Sequence, residues 1–524
     1  MNTTGRFFAC ALTLIMMGTM MNFNAYSETE VKTSQIPSPD SPLIAFRIFV
    51  HSGSIYDPPG KEGLNTLTAN VLGSGGTEEL TYQEVITTLY PMAAGIGVQA
   101  DKEVTVFTGN VHRDHLKKFY KIFSDLLLHP RFDPDDFERN RDQLLNYLEK
   151  TLRGTDDEDL GKEALNILLY QNHPYGHPNE GTVQGLKSIT LDDVKRFYKK
   201  MYTKDRITIG LAGGYPAEFI ERVRQDFETL PKGKVKPMGL PDPEPIDGIE
   251  VLLVEKPGRA SAISIGCPID VTRADDDFYA LMVANSYLGE HRMSVGVLYN
   301  TLREARGLNY GDYSYIENFI QGMGRFARPN IPRRQQFFSI WIRPVAQENA
   351  LFSLKAAVKE LQNLVEKGLS EEDFELSRQF VLNYSKQWTQ TLSRRLGYQM
   401  DSEFYDTQRL INEIGSDFEK KLPLEYQVKN FIENIDEKLR TLTVDDVNAA
   451  IKRYLQFENL KVAMTCEDAV KVKNALVTNA ITPITYQDPG STPPEISEQD
   501  KIYEGYPLNV TRVNIIQATE IFEK

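Results

Sequence analysis

The sequence predicts an α+β chain made of two homologous α/β sandwich halves, each a mainly antiparallel sheet with helices packed on it. Three observations carry that prediction. The segment Asp136-Phe137-Glu138-x-x-Arg141-x-x-x-Leu145-Asn146-Tyr147 returns 237 positions later as Asp373-Phe374-Glu375-x-x-Arg378-x-x-x-Leu382-Asn383-Tyr384. A second pair, Thr190-x-Asp192-Asp193-Val194 and Thr443-x-Asp445-Asp446-Val447, stands 253 positions apart. Each member of that pair runs into a helix with Lys and Arg on its polar side and then an apolar strand, residues 207–211 or 460–464. Two copies of one ordered set of elements mark a duplicated unit. At 524 residues, 41% hydrophobic and 25% charged, the chain is long enough to give each copy its own core.

In chain order, residues 1–27 read as a signal peptide: Arg6 gives the positive start, residues 7–21 the apolar run, and Ala25-Tyr26-Ser27 a small-x-small cleavage site. The apolar run is too short for a membrane span and is soon interrupted by Asn22 and Asn24. Cys10 lies near the start of that run, where a lipid-anchor cysteine would stand at its end. The mature protein is therefore expected to be exported to the periplasm, with no membrane span once the signal is removed. Residues 43–230 form the first half, opening on the strand Leu43–Val50; residues 231–248, rich in Pro and Gly, are a linker; residues 249–470 form the second half. Residues 471–524 hold a Pro-rich segment and a tail whose Val510, Val513, Ile515 and Ile516 can pack back on the body. A net charge of −14 without clustered basic residues argues against a nucleic-acid partner. Cys267 and Cys466, left after the signal, make no disulfide framework.

Residues 63–77 are the stretch where chemistry is expected. Leu64, Leu67, Val71 and Leu72 recur at helical spacing, which puts Thr66, Ala69 and Asn70 together on the neighbouring face. The stretch resembles the helix that carries the inverted zinc motif His-x-x-Glu-His in the pitrilysin/insulinase family of metallopeptidases. The overlay puts Thr66 at the first His, Ala69 at the general-base Glu and Asn70 at the second His. The family's third ligand is a Glu 77 positions beyond the second His, with a supporting Glu seven before it; here those positions are Tyr147 and Asn140. Catalytic zinc takes three His, Glu, Asp or Cys ligands and an open water position. Thr, Asn and a phenol do not replace them, and Ala69 can accept no proton. The resemblance covers roughly residues 43 to 470 and implies two halves facing a chamber, with no cofactor in this chain.

The second half carries Leu302-Arg303-x-x-x-Gly307-x-x-Tyr310. The family has an Arg and a Tyr at these two positions, opposite the zinc, where they bind the peptide and the developing oxyanion. Arg303 and Tyr310 match that pair, and a helix that ends at Gly307 and turns into a strand lets a guanidinium and a phenol converge on one carbonyl. The bland alternative is an ion-paired Arg and a core Tyr. Other candidates are weaker. His112 and His115 open an amphipathic helix, His173 and His177 shape a loop, and His51, His129 and His291 are isolated. The 73–76 turn lacks the Lys-Ser/Thr of a phosphate loop. Residues 94–100 read as a strand, in the region where the family offers a sheet edge to an extended peptide.

Two functions follow as expectations. In the first, the chain is the zinc-free subunit of an exported two-chain peptidase. A zinc-bearing partner of the same family cuts a peptide substrate, and Arg303 and Tyr310 act in trans. In the second, it is a peptide-binding or scaffold protein of that fold with no role in proteolysis. Retention of the Arg/Tyr pair beside loss of the zinc residues favours the first.

Overall fold

The structure, a computed structural model, describes residues 31–319, 324–414, 431–488, 490 and 492–524. The signal-peptide expectation for residues 1–27 lies outside them. The first sheet contains β1 (Lys32–Pro37), β2 (Leu43–Val50), β3 (Gly95–Ala100), β4 (Thr105–His112) and β5 (Ile207–Gly213), in the order β1-β5-β2-β4-β3. The second contains β6 (Ile249–Glu255), β7 (Ala260–Ile269), β8 (Asp312–Tyr315), β9 (Gln336–Ala346), β10 (Leu460–Cys466) and β11 (Val510–Gln517), in the order β11-β6-β10-β7-β9-β8. Without β11 the two orders are the same, and so are the strand directions. β1 runs parallel to β5 as β6 does to β10, and every other pair is antiparallel. The repeat read in the sequence is thus a repeat of topology.

The local signals behind it recur in pairs. Thr190 and Thr443 each cap the following helix through a reciprocal box with Asp193 and Asp446, satisfying backbone donors that the helix start leaves free. The Asp-Phe-Glu segments form the helices Pro134–Asn146 and Glu371–Tyr384, with Phe137 and Phe374 buried. The first sheet also takes in the strand Lys32–Pro37, ahead of the Leu43–Val50 strand on which the sequence reading opens. β1 is a short edge strand with Ser34 buried between exposed neighbours, so it reads as polar linker.

The halves are fastened by exchange. The Asp157–Leu169 helix of the first half lies on β7 and β10 of the second, and the Leu392–Ile414 helix of the second lies on β1, β2 and β5 of the first. Glycines let these helices approach closely. A Cβ on Gly210 of β5 would stand 2.5 Å from Met400 Sδ, and one on Gly266 of β7 would stand 3.3 Å from Leu165 Cδ2. One buried core runs from Phe46 and Leu165 of the first half to Tyr313, Phe337 and Trp341 of the second. The tail closes the joint. β11 extends the second sheet by pairing with β6. The chain then crosses to the first half, where the backbone N–H groups of Val183 and Gln184 donate to Phe522 O and Glu523 O at 3.0 and 2.9 Å. Arg153 adds a hydrogen bond to Ile521 O at 2.7 Å and an ion pair with Glu523 at 3.0 Å.

Candidate functional site

The helix Leu64–Gly73 starts at Gly63, whose φ of 102° only glycine adopts easily. The Asp57 carboxylate takes the Gly63 and Asn65 backbone N–H groups at 2.8 and 2.7 Å, the part a helix-capping side chain plays. Thr66, at the first-ligand position, is 8% exposed and its hydroxyl donates to Asn179 O. Ala69 is fully buried, and Asn70 is half-buried. Asn140 turns its amide onto Asp136 O of its own helix at 2.8 Å, away from any shared site. Tyr147 is the first residue of a π-helical stretch, Tyr147–Thr155, and is half-buried. Burial raises its pKa, and Glu180 and Glu163 add to the effect.

Between the halves lies a small pocket lined by Lys102, Tyr147, Glu163 and Asn179 from the first half and Arg333 and Phe337 from the second. The structure therefore brings Tyr147 to the loop that holds Thr66, while Asn140 stays outside the pocket. Lys102 is 1% exposed and its ammonium donates to His177 O. Burial lowers its pKa to about 8, opposed by Glu163. Burial raises Glu180 to about 7 and also raises Glu163. A hydrogen-bonded relay spans the seam. Asn179 Nδ2 donates to Asp101 Oδ1 at 2.9 Å, and Arg333 holds the same carboxylate at 2.8 and 2.7 Å. That pocket is thus lined by the Asn166, Asn179 and Asn318 amides, the Tyr147 phenol, the Lys102 and Lys162 ammonium groups, the Arg333 guanidinium and the Asp159 and Glu163 carboxyls, and no base stands at position 69. Among the described residues, no group of three or more His, Cys, Asp or Glu side chains is placed to hold a metal ion.

Lys102, Glu163, Glu180 and Arg333 escaped the sequence reading. Lys102 sits in the charged run Asp101-Lys102-Glu103 between two strands, which reads as a solvated turn, yet all three residues are buried. The His173/His177 loop also has a role, though not as a ligand pair: His177 O anchors Lys102, and His173 bonds Pro241 O at 3.0 Å.

Arg303 lies in the π-helical turn Tyr299–Glu304, its guanidinium 5.3 Å from the Tyr299 ring centre and 3.6 Å from Glu304. Gly307 ends the turn with a φ of 63°, its N–H donating to Arg303 O at 2.7 Å. Asn309 then fixes the turn into β8 by donating to Asp312 at 2.7 Å and to Arg343 O at 3.0 Å. Tyr310 is 78% exposed, whereas Tyr313 and Tyr315 in the following strand are 4% exposed. The Arg343 guanidinium stands 6.0 Å from the Tyr310 ring and pairs at 2.8 Å with Glu158 of the first half. β3 pairs with β4 on one side only, and at one end Gln99 Nε2 reaches Pro329 O and Asn330 O at 3.2 and 3.0 Å.

Comparisons with known proteins match this architecture. Residues 35–183 match the family described as insulinase (peptidase family M16), and residues 188–380 the one described as peptidase M16 inactive domain. A Bacillus subtilis protein named uncharacterized zinc protease YmxG is 25% identical over 53% of this chain, which spans 65% of that relative's length. The non-peptidase homolog YmxG of Helicobacter pylori is 23% identical over 86% of this chain and 97% of its own. A solved peptidase M16 inactive domain from Pseudomonas fluorescens shares the fold with a TM-score of 0.67 at 20% identity, over 84% of this chain and 96% of that one.

Proposed function

Because the chain belongs to the insulinase family, peptidase M16, and carries none of that family's zinc-ligand residues, we propose that it serves as the zinc-free subunit of an exported two-chain peptidase. A zinc-bearing partner of the same family supplies the metal, the general base and the hydrolytic step, and the substrate is a peptide. This chain holds no zinc of its own and contributes Arg303 and Tyr310 to the partner's site. The exposure of Tyr310 carries the reading: a phenol that is 78% exposed, on a turn fixed by Asn309 and Gly307, serves no core and stands ready to donate outward. As an oxyanion forms, such a donor strengthens its hydrogen bond and stabilises the transition state more than the bound peptide.

A second reading is a peptide-binding or scaffold protein with no part in proteolysis. It is favoured by Arg303, whose described neighbours, Tyr299 and Glu304, give it a local structural role. The test is turnover of a quenched peptide by the chain recombined with a zinc-bearing partner copurified from native extract. Tyr310→Phe should lower kcat by about 100- to 1000-fold with assembly intact on gel filtration. Unchanged turnover from Tyr310→Phe and Arg303→Ala in an intact complex would leave the scaffold reading standing.

A further inference from the structure

A second cavity lies within the second half, and its lining includes neither Arg303 nor Tyr310. It lies between the Asp276–Gly289 helix, β8 and the Glu371–Tyr384 helix. One wall is aromatic. Phe278 and Phe431 stand 5.7 Å apart by ring centre, Phe326 and Tyr384 5.3 Å, and Tyr384 and Trp388 6.3 Å. The polar part of the lining holds Glu290, His291 and Asn285, with Glu290 near enough to Tyr384 to act on its phenol.

The charges at that end do not balance. His291 is satisfied at both ring nitrogens, by Tyr315 OH at 2.7 Å and Gly324 O at 3.0 Å, and burial lowers its pKa to about 4, so it is neutral. Arg273 is already held by Glu317 at 2.8 Å and Asp401 at 3.4 Å. Arg325 is exposed, with its guanidinium 3.9 Å from Met293 Sδ. The Glu290 carboxyl is met by the Ser286 hydroxyl and the His291 backbone N–H, both uncharged, and burial raises its pKa to about 7. On two of the lining residues, Asn285 Oδ1 and Trp388 Nε1 are enclosed without a hydrogen-bond partner among the described residues. Among the described residues the Glu290 carboxyl has no cation and the Asn285 acceptor no donor; both are costly, and one guest bearing N–H donors and a positive charge relieves both. The aromatic faces in the lining suit the same guest, since they attract cations as well as apolar groups.

We propose that this cavity is a binding site for a small organic amine with an aromatic or branched apolar body, the ammonium set against Glu290 and the body against Tyr384 and Trp388. An anion is excluded by Glu290, and a purely apolar guest leaves the Asn285 acceptor and the Glu290 carboxyl unpaired. The site is independent of any peptidase partnership, because its walls come from one half of this chain.

The test titrates phenethylamine into the full chain by calorimetry, with 3-phenyl-1-propanol as the uncharged probe of similar shape. Phenethylamine should bind saturably and more tightly than the alcohol, and Glu290→Gln should weaken the amine by about tenfold or more while leaving the alcohol in place. Trp388→Phe should weaken both probes and remove the change in tryptophan emission that accompanies binding. Should Glu290→Gln fail to fold, as judged by circular dichroism, Asn285→Leu serves instead, with the preference for amine over alcohol narrowed. No saturable binding of phenethylamine, equal affinity for amine and alcohol in the wild-type chain, or an undiminished preference in the folded variant would overturn the assignment.

Discussion

Arg333 of the second half grips Asp101 of the first with Nε at 2.8 Å and Nη2 at 2.7 Å, and both side chains are buried. Asn179 bonds the same carboxylate, and Thr66 bonds Asn179, so the pair links the seam to Thr66 on the Leu64–Gly73 helix. Arg333→Met should destabilise the chain by about 3–5 kcal/mol in urea unfolding, because it strands a buried carboxylate. Arg333→Met combined with Asp101→Leu should recover most of that loss, which tells a stranded charge from lost packing.

Metal analysis after dialysis should find less than one zinc per chain. Thr66, Asn70 and Tyr147 offer no zinc-binding set, and Lys102 brings a positive charge into the pocket that Tyr147 lines. One tightly held zinc per chain would refute the overlay on which the functional proposal rests.

Stability should fall as pH rises from about 6.5 to 8. Burial raises Asp57 and Asp312 to about 8 in the folded chain, above the unfolded value of about 4, so the folded state binds those protons more tightly. The stabilisation is complete below the unfolded pKa and is lost as pH climbs through the folded one. Buried His51, His177 and His291, lowered to about 3, 4 and 4, act in the opposite sense but only below about 6.5. Lys102, lowered to about 8, acts above that window. Denaturation midpoints at the two pH values check the slope, and Asp57→Asn should flatten it.

Removal of residues 518–524 should loosen the joint between the halves without unpairing β11. Ile521 and Phe522 are 1% and 5% exposed, and losing one such side chain typically costs about 2–5 kcal/mol. The readout is local: the Val183 and Gln184 amides, which donate to Phe522 O and Glu523 O, should exchange with solvent much faster than in the full chain.

Tyr310→Phe should leave the unfolding free energy within about 0.5 kcal/mol of wild type, because the side chain is largely in water. Tyr315→Phe should cost more, since that hydroxyl meets His291 Nδ1 at 2.7 Å inside the core. A large loss for Tyr310→Phe in the isolated chain would assign it a structural role and remove the observation that carries the proposed function.

The duplication was legible because the capping boxes at Thr190 and Thr443 and the Phe137 and Phe374 anchors are local, and local requirements leave their mark in neighbouring residues. β1 was not, because an edge strand needs few apolar residues. Spacing along the chain put Tyr147 forward as a candidate, but the pocket around it could not be read there. It is assembled from Lys102, Glu163, Asn179 and Arg333, which only the closed seam brings together. Its charges are inward, where a charged run ordinarily signals solvent.

The exchange of helices across the seam also sets an order of events during synthesis. The first sheet is covered by the helix Leu392–Ile414, encoded nearly two hundred residues after β5, so a nascent chain that has completed β5 carries an apolar sheet face with nothing yet to lay on it. Its native cover is absent until most of the second half has been made. Until then that apolar face is open to water, the condition under which a partly made chain is prone to self-association.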